Sequence, residues 1–458
     1  MLRPYQSTII DEARSLMHSG TRSILITAPT GSGKTMLSAH MLKTAASRNM
    51  PAWFIVHRRE LIKQSIRAFN DVNVPHGIVA SNFMEAKRLP IQIASVQTLI
   101  RRLKRYREPK LIIYDECHHC AAGSWKKIMQ AFPNAYSIGL TATPQRLDGT
   151  GLGNFFQKIV HGPSVSWLIE NGFLAPYRIY APPHVSTDGL HSRMGDFMKE
   201  ELNALVDRPT ITGDAIKHYR RLCEGKRAVV FCVSIKHSQH VVEQFNAAGI
   251  PAAHVDGETN IEERDRAIRR FEAGEIRVLS NVELFGEGFD LPAMEAVIML
   301  RPTQSLGMYL QQAGRVLRPS PGKHEAIILD HAGNCERHGL PDEERNWELT
   351  MDKCTKKSNG DNISVKVCPS CFAAQFSGKP ECGYCGYTFP IQSREIEQKE
   401  GELVEVDPAT LRRNRMQSQG RCQTLEDLAE EGKRRGYKRP HLWAKYVFNA
   451  RQAKLVRG

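Results

Sequence analysis

The sequence of 458 residues lacks the features of membrane-spanning and exported proteins. No stretch approaches the roughly 18 uninterrupted apolar residues of a transmembrane helix, so we expect no membrane span. The chain passes from Met1 into Leu-Arg-Pro-Tyr-Gln without the charged and then apolar segments of a leader. Its 11 cysteines are odd in number and do not form the pattern of a disulfide framework. We therefore expect a cytoplasmic protein in a reducing compartment.

Acidic residues are fewer than basic ones. Lys and Arg number 63 and Asp and Glu number 49, which gives a formal net charge of +14. Because each neutralised phosphate releases counterions, this balance favours a polyanionic partner such as nucleic acid. A soluble protein that happens to be rich in lysine has the same balance, so the charge alone does not decide between the two.

Two parts of the chain alternate short apolar runs with amphipathic helical spacing. The first begins near Ser23, and the second extends from Ala228 to Leu329. This alternation predicts βαβ units around parallel sheets, an α/β fold with two tandem domains. The stretch 149–212 is rich in Pro, Gly and His, and we predict a linker there with a few peripheral elements. The predicted domains are 1–172 and 173–340.

The remaining residues have a different character, polar and charged with one cysteine cluster. We predict a small ribbon at 364–390 and a basic helical tail at 400–458. From Lys433 to Gly458 there are nine Lys or Arg residues, no acidic residue and several interleaved aromatic residues. Such a tail either binds nucleic acid through charge and stacking or is an amphipathic module with a solvated basic face.

A phosphate-binding loop is predicted at Ala28-Pro-Thr-Gly-Ser-Gly-Lys-Thr35, between a strand and a helix. Its glycines permit a tight turn whose backbone N–H groups can surround the phosphates of ATP. Lys34 can reach the β- and γ-phosphates, and Thr35 offers a hydroxyl to Mg²⁺. A glycine-rich turn with a coincidental lysine is the alternative, which the flanking strand and helix disfavour. The predicted nucleotide-binding residues of the loop are Thr30, Gly31, Ser32, Gly33, Lys34 and Thr35.

An acidic pair follows the apolar run Leu-Ile-Ile-Tyr114. At this strand end, Asp115 would hold Mg²⁺ through its water shell, and Glu116 would orient and deprotonate the attacking water. The next residues are Cys117-His-His-Cys120. Their spacing is tight for a metal site, so we favour a role of His118 in coupling the nucleotide site to neighbouring loops over a zinc site.

Two arginines of the second half, Arg315 and Arg318, are three residues apart and would share one face of a helix. Two guanidinium groups on one face suit the γ-phosphate of a nucleotide held by the other domain. A basic surface helix is the alternative, and the arginines alone do not exclude it.

The order of these segments resembles that of the superfamily 2 helicases of the DEAD/DEAH-box type. Ala28–Thr35 is similar to motif I, and Asp115–His118 is similar to motif II in its DECH form. The resemblance covers roughly residues 1–335, and nine segments in one order argue against chance. The other matches are Leu2–Gln6 (adenine recognition), Val56–Leu61 (Ia), Ser95–Leu99 (Ib), Thr141–Pro144 (III), Phe231–Ser234 (IV), Asn281–Pro292 (V) and Gln311–Arg318 (VI).

The resemblance implies two tandem RecA-like domains with ATP in the cleft between them. Binding of ATP would close the cleft, and hydrolysis of ATP would let the cleft open again. Each cycle would move one domain relative to the other along nucleic acid. Motifs Ia, Ib, IV and V would line the nucleic-acid groove, with Arg58, Thr98 and Ser234 on its phosphates. The remaining nucleotide contacts would be Arg3, Gln6, Gly288 and Asp290, completed from the second domain by Gln311, Arg315 and Arg318.

Within the superfamily, the ribbon and two segments, Arg301-Pro-Thr and Leu329–Asn334, resemble the bacterial RadD-like DNA-repair helicases. Gly436–Trp443 is similar to the ends of phage-encoded helicases. These similarities imply DNA rather than RNA, and a role in repair, recombination or phage replication. We expect a monomer, with protein partners through the C-terminal region.

Four cysteines follow a C-x₂-C-x₁₀-C-x₂-C pattern, at Cys368, Cys371, Cys382 and Cys385. Two such knuckles hold Zn²⁺ tetrahedrally, and four sulfur ligands leave no open position for catalysis. A structural zinc ion is therefore predicted, with a redox pair or an iron–sulfur cluster as the alternatives.

Three functions remain open at this point. The favoured one is an ATP-dependent DNA helicase or translocase. The others are an RNA helicase or a protein-remodelling translocase that does not unwind, and a DNA-binding adaptor with a vestigial ATPase. The adaptor is disfavoured because Lys34, Thr35, Asp115, Glu116 and both arginines are present.

Overall fold

The computed structural model describes residues 2–121, 123–145, 151–181, 192–193, 196–197, 209–282, 291, 294–349, 365–376, 378–389, 417–434, 440–441, 444–445 and 447–448. The chain divides into two compact units, Met1–Pro390 and Ile391–Gly458. No helix within the described ranges is both long and apolar enough to cross a membrane.

The first sheet contains seven described strands, all parallel. These are β1 Ser23–Thr27, β2 Ala52–Val56, β3 His76–Val79, β4 Ile91–Ser95, β5 Leu111–Asp115, β6 Tyr136–Thr141 and β7 Lys158–His161. Their order in the sheet is β3-β4-β2-β5-β6-β1-β7. The central strands are apolar runs buried on both faces, as expected where helices cover a parallel sheet.

The second sheet contains six described strands, again all parallel. These are β8 Tyr177–Tyr180, β11 Ala228–Phe231, β12 Ala252–Val255, β13 Val278–Asn281, β14 Ala296–Met299 and β15 Ala326–Asp330. Their order is β12-β13-β11-β14-β15-β8. Between β8 and β11, a small antiparallel pair is formed by β9 Ser192–Arg193 and β10 Asp196–Phe197. The predicted α/β fold with two parallel sheets is confirmed.

The helices of the first unit pack their apolar faces on these sheets. They are α1 Pro4–His18, α2 Lys34–Ser47, α3 Arg59–Asp71, α4 Val96–Leu99, α5 Gly123–Ala131, α6 Val165–Glu170, α7 Pro209–Cys223, α8 Ile235–Ala247, α9 Ile261–Glu272, α10 Leu306–Val316 and α11 Asn334–His338, with 3₁₀ turns at Leu103–Arg105 and Cys117–Ala121. Serine side chains begin several of them: Ser164, Ser234 and Ser305 each accept a hydrogen bond from a first-turn N–H.

The stretch predicted as a linker contains more regular structure than expected. β7 extends the first sheet beside β1, α6 follows it, and β8 extends the second sheet beside β15. Both strands have only four residues and lie at sheet edges, so their sequence signal is short and weak. The chain therefore passes from the first sheet to the second between β7 and β8.

A cysteine hairpin, β16 Val365–Val367 with β17 Ala374–Phe376, packs against the edge of the second sheet. Its turn pairs with the end of β8 through a bridge between Tyr180 and Ala373. The Ala181 N–H also donates to the Phe372 carbonyl oxygen at 3.1 Å. The Arg221 guanidinium lies 5.4 Å from the centre of the Phe372 ring.

The second unit has a small core of its own around α12, Leu425–Arg434. The helix starts with reciprocal hydrogen bonds between Thr424 and Asp427, in the manner of a capping box. Leu428 is fully buried, and Phe448 packs against it from the basic tail. The other aromatic residues of that tail, Tyr437, Trp443 and Tyr446, lie outside the described residues.

Candidate nucleotide site and cysteine cluster

The predicted phosphate loop connects the carboxyl end of β1 with the start of α2. Gly31 and Gly33 have φ angles of +88° and +82°, a left-handed conformation that favours glycine. A Cβ on Gly33 would lie 2.6 Å from the Gln6 side-chain nitrogen, so a side chain here would displace the Gln6 amide. The Ser32 hydroxyl donates to the Pro29 carbonyl oxygen at 2.7 Å and tightens the loop further.

The Lys34 ammonium lies inside this loop. It donates to the carbonyl oxygens of Ala28 at 3.1 Å and Pro29 at 3.4 Å. Burial lowers the pKa of Lys34, and the nearby carboxylates of Glu116 and Asp115 partly oppose that shift. The amine is therefore held at the cradle of backbone N–H groups that the glycines create, where a phosphate would carry the opposite charge.

The acidic pair lies directly across from the loop, at the end of β5. Asp115 and Glu116 are both buried, and burial raises the pKa of Asp115 to about 7, with the neighbouring Glu116 charge adding to the shift. Two buried carboxylates and Thr35 line the same cleft and offer hard oxygen donors of the kind that Mg²⁺ prefers. The set therefore fits the predicted magnesium role of Thr35 and Asp115.

Glu116 has an unusual backbone conformation, with φ +47°. Left-handed backbone is uncommon in residues other than glycine and is frequently found at functional sites. The side chain lies 3.5 Å from the His118 Nδ1 atom, and the same nitrogen lies 3.2 Å from the Thr141 hydroxyl. His118 thus connects the acidic pair with the predicted motif III, as expected of a coupling residue.

The second domain contributes α10 to the site. Gln311 and Arg315 lie on this helix and are buried. Arg318 does not lie on it: the helix ends at Val316, two residues earlier. The sequence placed both arginines on one face provided that the segment is helical, and the helix ends before Arg318. Pro319 explains this end, because proline lacks an N–H donor and disfavours helical backbone in the residue before it.

Both arginines nevertheless face the phosphate loop. One cleft of about 490 Å³ is lined by residues of both domains. Its wall includes Lys34, Asp115 and Glu116 from the first domain and Arg315 and Arg318 from the second. Thr30, Gly31, Gly33, Thr35 and Arg3 complete the part of the wall that was predicted from the sequence.

The two domains approach each other closely at this cleft. A Cβ added to Gly314 of α10 would lie 2.5 Å from the Thr30 Cβ atom. A Cβ on Gly31 would lie 2.8 Å from Leu174 and 3.4 Å from the Arg318 Cγ atom. Glycines on both sides therefore allow the phosphate loop and the arginine helix to touch.

The N-terminal motif supports the loop from behind. The Gln6 side-chain amide donates to the Ser32 carbonyl oxygen at 3.0 Å, and its oxygen accepts from the Arg3 N–H at 3.0 Å. The Arg3 guanidinium lies 4.9 Å from the centre of the Phe173 ring. The contacts of Gln6 thus hold the loop, and its role in adenine recognition remains a prediction. Gly288 and Asp290 lie outside the described residues.

The three nucleic-acid candidates lie at helix starts that follow strand ends. Arg58 precedes α3 after β2, Thr98 lies on α4 after β4, and Ser234 precedes α8 after β11. The Thr98 hydroxyl bonds to Ser95 at 2.9 Å, and the Ser234 hydroxyl accepts from the His237 N–H. Both hydroxyls therefore shape their helix starts, and phosphate contact by them remains a prediction.

The two cysteines in the turn of the hairpin, Cys368 and Cys371, converge with Cys382 and Cys385, which follow the hairpin. The sulfur atoms of Cys368 and Cys385 are 3.6 Å apart, as are those of Cys371 and Cys382, and all four lie within 4.8 Å of one another. A zinc ion with bonds of about 2.3 Å places its sulfur ligands about 3.8 Å apart in a tetrahedron. Disulfide bonds of about 2.05 Å are far shorter. The cluster therefore fits a single tetrahedral metal ion.

A phosphate loop and an acidic pair on one parallel sheet, with arginines from a second, define a two-domain P-loop ATPase. Residues 1–146 match the family described as type III restriction enzyme, res subunit, and residues 214–320 match the helicase conserved C-terminal domain. A 51.5 kDa protein of Lactococcus phage (isolate 7-9) is 34% identical over 392 residues, covering 85% of this chain and 84% of that protein.

Two further comparisons agree. The DNA 3′-5′ translocase XPB2 of Sulfurisphaera tokodaii is 25% identical over 372 residues, covering 72% of this chain and 81% of that protein. A fragment of a type I restriction enzyme HsdR subunit from Vibrio vulnificus has the same fold, with a TM-score of 0.58 and 24% identity over 74% of this chain and 67% of the fragment. The chain belongs to the superfamily 2 helicases of the DEAD/DEAH-box type and is an ATP-hydrolysing enzyme.

Proposed function

We propose that the protein couples ATP hydrolysis in the interdomain cleft to movement along DNA. The observation that carries the proposal is the shared cleft, in which Lys34 and Asp115 of one domain face Arg315 and Arg318 of the other. A nucleotide bound there is in reach of both domains. Its presence or loss therefore changes how the domains are held together, which is the step that drives a two-domain motor.

The chemistry follows from the residues of the cleft. Lys34 and the loop N–H groups, with Thr30 to Gly33, bind the phosphates. Thr35 and Asp115 would hold Mg²⁺, which would supply positive charge at the phosphate oxygens. Glu116 orients the attacking water and accepts its proton. Arg315 and Arg318 stabilise the charge of the transition state, assisted by Gln311. Arg3, Gln6, Gly288 and Asp290 bind the nucleoside.

The track for the nucleic acid lies along the strand ends. Arg58, Thr98 and Ser234 follow the carboxyl ends of parallel strands, two in the first sheet and one in the second. In parallel sheets these ends lie at one edge, where helix starts present backbone N–H groups and partial positive charge to phosphates. A backbone gripped by both domains would be moved when the cleft opens and closes. The excess of basic residues supports a polyanionic track.

DNA is the proposed substrate because one relative is named a DNA translocase and because the cysteine ribbon resembles that of bacterial DNA-repair helicases. We propose domain boundaries at 1–172 and 173–340, with 364–390 as a zinc ribbon and 400–458 as a basic tail. Zn²⁺ bound by Cys368, Cys371, Cys382 and Cys385 would stabilise the hairpin, whose four-sulfur set leaves no position for substrate.

The test compares ATPase stimulation by single-stranded DNA, forked DNA and RNA, together with strand displacement on the fork. We expect DNA to stimulate hydrolysis more than RNA. Lys34→Ala should remove the activity with every nucleic acid, whereas Lys43→Ala, an exposed lysine on the same helix, should leave it unchanged. Equal or stronger stimulation by RNA would make the protein an RNA-dependent motor, and stimulation without strand displacement would make it a translocase that does not unwind.

A further inference from the structure

Lys323 lies behind the arginines of the cleft, where α10 has ended. Its ammonium donates to three backbone carbonyl oxygens: Arg318 at 2.9 Å, Met294 at 2.7 Å and Val316. Within the described part of the chain, the wall of the cleft includes Arg315 and Arg318 but not Lys323. Any effect of Lys323 on the nucleotide must therefore pass through the residues that it holds.

The sequence after the helix explains how Lys323 returns to the helix end. Residues 320–323 form a turn in which the Lys323 N–H donates to the Ser320 carbonyl oxygen at 3.1 Å. Pro321 and Gly322 occupy the two central positions, and Gly322 has φ +76°. Proline followed by a left-handed glycine is the pattern of a type II turn. The turn reverses the chain, so that the lysine side chain can reach back to the last carbonyl groups of the helix.

Carbonyl groups in the last turn of a helix and just beyond it need donors from elsewhere, because they have no intrahelical partners. Lys323 supplies them for Val316 and Arg318, and the Ala175 N–H supplies one at 2.7 Å for Leu317 between them. A cation is also favourable at the negative end of the helix dipole. The backbone that carries Arg318 is thus fixed at three consecutive carbonyl groups.

The third acceptor connects a second predicted motif. Met294 follows Asn281–Pro292, the segment that contains the predicted nucleotide contacts Gly288 and Asp290, and leads into β14. The Lys323 ammonium therefore hydrogen-bonds to the C-terminal ends of both second-domain segments that are predicted to contact the nucleotide. Burial lowers the pKa of Lys323 to about 8; Glu295 opposes this shift, and Lys226, Arg227 and Arg318 add to it.

We propose that Lys323 is a positioning residue for ATP hydrolysis, which fixes the backbone carrying Arg315 and Arg318 so that both guanidinium groups meet the γ-phosphate. The inference rests on the proposed role of these arginines. It predicts that loss of the ammonium slows hydrolysis without a comparable loss of ATP binding, since Lys34 and the phosphate loop are unchanged.

The first test measures kcat and KM for ATP of the full chain at saturating single-stranded DNA. Lys323→Met should lower kcat by about 10- to 100-fold, as expected for a displacement of catalytic groups by about 1 Å, and should change KM by less than about threefold. Lys217→Met, the same change at an exposed lysine of the second domain, should alter neither. A kcat of Lys323→Met within about twofold of the wild type, or a KM that rises as much as kcat falls, would overturn the proposal.

A second test separates this inference from the proposed function. If Lys323 acts through the arginine segment, Lys323→Met should lower kcat by a smaller factor in an Arg318→Ala background than in the wild type. An equal cost in both backgrounds contradicts the positioning role. If Arg318→Ala alone hydrolyses ATP at the wild-type rate, the proposed role of that arginine is wrong. If Arg318→Ala hydrolyses ATP slowly and Lys323→Met hydrolyses it at the wild-type rate, the positioning role of Lys323 is wrong and the proposed role of Arg318 stands.

A third measurement does not depend on the methionine variant folding. Lysine with a pKa of about 8 is charged below that pH and loses its charge above it. The kcat of the wild type should therefore fall as the pH rises through about 8. Lys323→Gln keeps two N–H donors and has no charge to lose, so it should lack this alkaline decrease. Identical pH profiles of the two proteins would overturn the proposal.

Discussion

The two α/β domains have the same strand order in their sheets but carry different functional groups. Taken in chain order, β1 to β6 occupy the same positions in the first sheet as β8 and β11 to β15 occupy in the second. β1 leads into the phosphate loop, whereas its counterpart β8 leads to the edge that the cysteine hairpin covers. β5 leads into the acidic pair, whereas its counterpart β14 leads into Arg301-Pro-Thr and α10.

The difference shows that the sheet sets where functional groups lie, and the loops set which groups they are. In both domains the groups follow the carboxyl ends of parallel strands, where open α/β sheets place their ligand sites. In our proposal the first domain binds the nucleotide there with N–H groups, an amine and carboxylates, and the second contributes arginine side chains to the same cleft. Since neither set is complete by itself, we expect hydrolysis to require both domains.

The strongest test of this difference between the domains is to remove the contribution of the second domain to hydrolysis. Arg315→Ala should lower kcat by about 10³-fold or more, the effect expected for an arginine that stabilises phosphoryl transfer from a neighbouring domain. ATP binding to the first domain should persist, measured with a fluorescent nucleotide. Arg266→Ala, at an exposed arginine of α9, is the control. Normal turnover by Arg315→Ala would mean that the first domain hydrolyses ATP alone.

Removal of the proposed base from the first domain should have the next largest effect. Glu116→Gln keeps the size of the side chain but cannot accept a proton, so kcat should fall by about 10²- to 10³-fold. ATP should still bind, and Glu108→Gln, an exposed position before β5, should behave as the wild type. If Glu116→Gln hydrolyses ATP normally, the water-orienting role belongs to another residue.

The close approach of the domains can be tested by adding one methyl group. Gly314→Ala should favour the isolated helix by up to about 1 kcal/mol, yet its Cβ would lie 2.5 Å from Thr30 and oppose closure of the cleft. We expect an unchanged or higher Tm together with about a tenfold lower kcat. Gly257→Ala, where a Cβ meets no atom within 4 Å, should change neither quantity. Unchanged turnover by Gly314→Ala would show that the helix and the loop do not touch during catalysis.

The smallest effect on hydrolysis is expected at the cysteine cluster, whose residues are not among the described residues that line the nucleotide cleft. Metal analysis should find about one zinc ion per chain, and none after Cys368→Ser with Cys382→Ser. ATPase activity without nucleic acid should remain within about twofold of the wild type. Cys422→Ser, outside the cluster, should retain the metal. Iron in place of zinc, or zinc retained by the double variant, would contradict the assignment.

The sequence was sufficient to predict the local structure where a motif and its flanking secondary-structure elements agree. The phosphate loop lies between a strand and a helix as predicted, because its glycines can adopt the left-handed conformations that the turn requires. The two edge strands β7 and β8 were harder to predict from the sequence. Four-residue strands in a stretch rich in Pro and Gly carry little hydrophobic periodicity. Edge strands are also stabilised by pairing that no local pattern reveals.

Other parts of the site depend on contacts between distant residues. The position of Arg318 beyond the helix could have been inferred from Pro319. The Pro321-Gly322 pair predicts the turn, but the three carbonyl groups that Lys323 reaches cannot be read from it. The left-handed backbone of Glu116 likewise follows from the surrounding structure, because glutamate has no preference for that conformation.

The cysteine hairpin has a consequence for how the protein can be divided. Its turn pairs with Tyr180 and Ala181 at the margin of the second sheet, where a strand would otherwise offer unpaired amide and carbonyl groups to other chains. Exposed strand margins recruit further strands and promote aggregation. A shortened protein that ends before residue 364 would retain both nucleotide-binding halves but lose this cover. Self-association of such a fragment would then reflect an unprotected sheet rather than a defect of the motor.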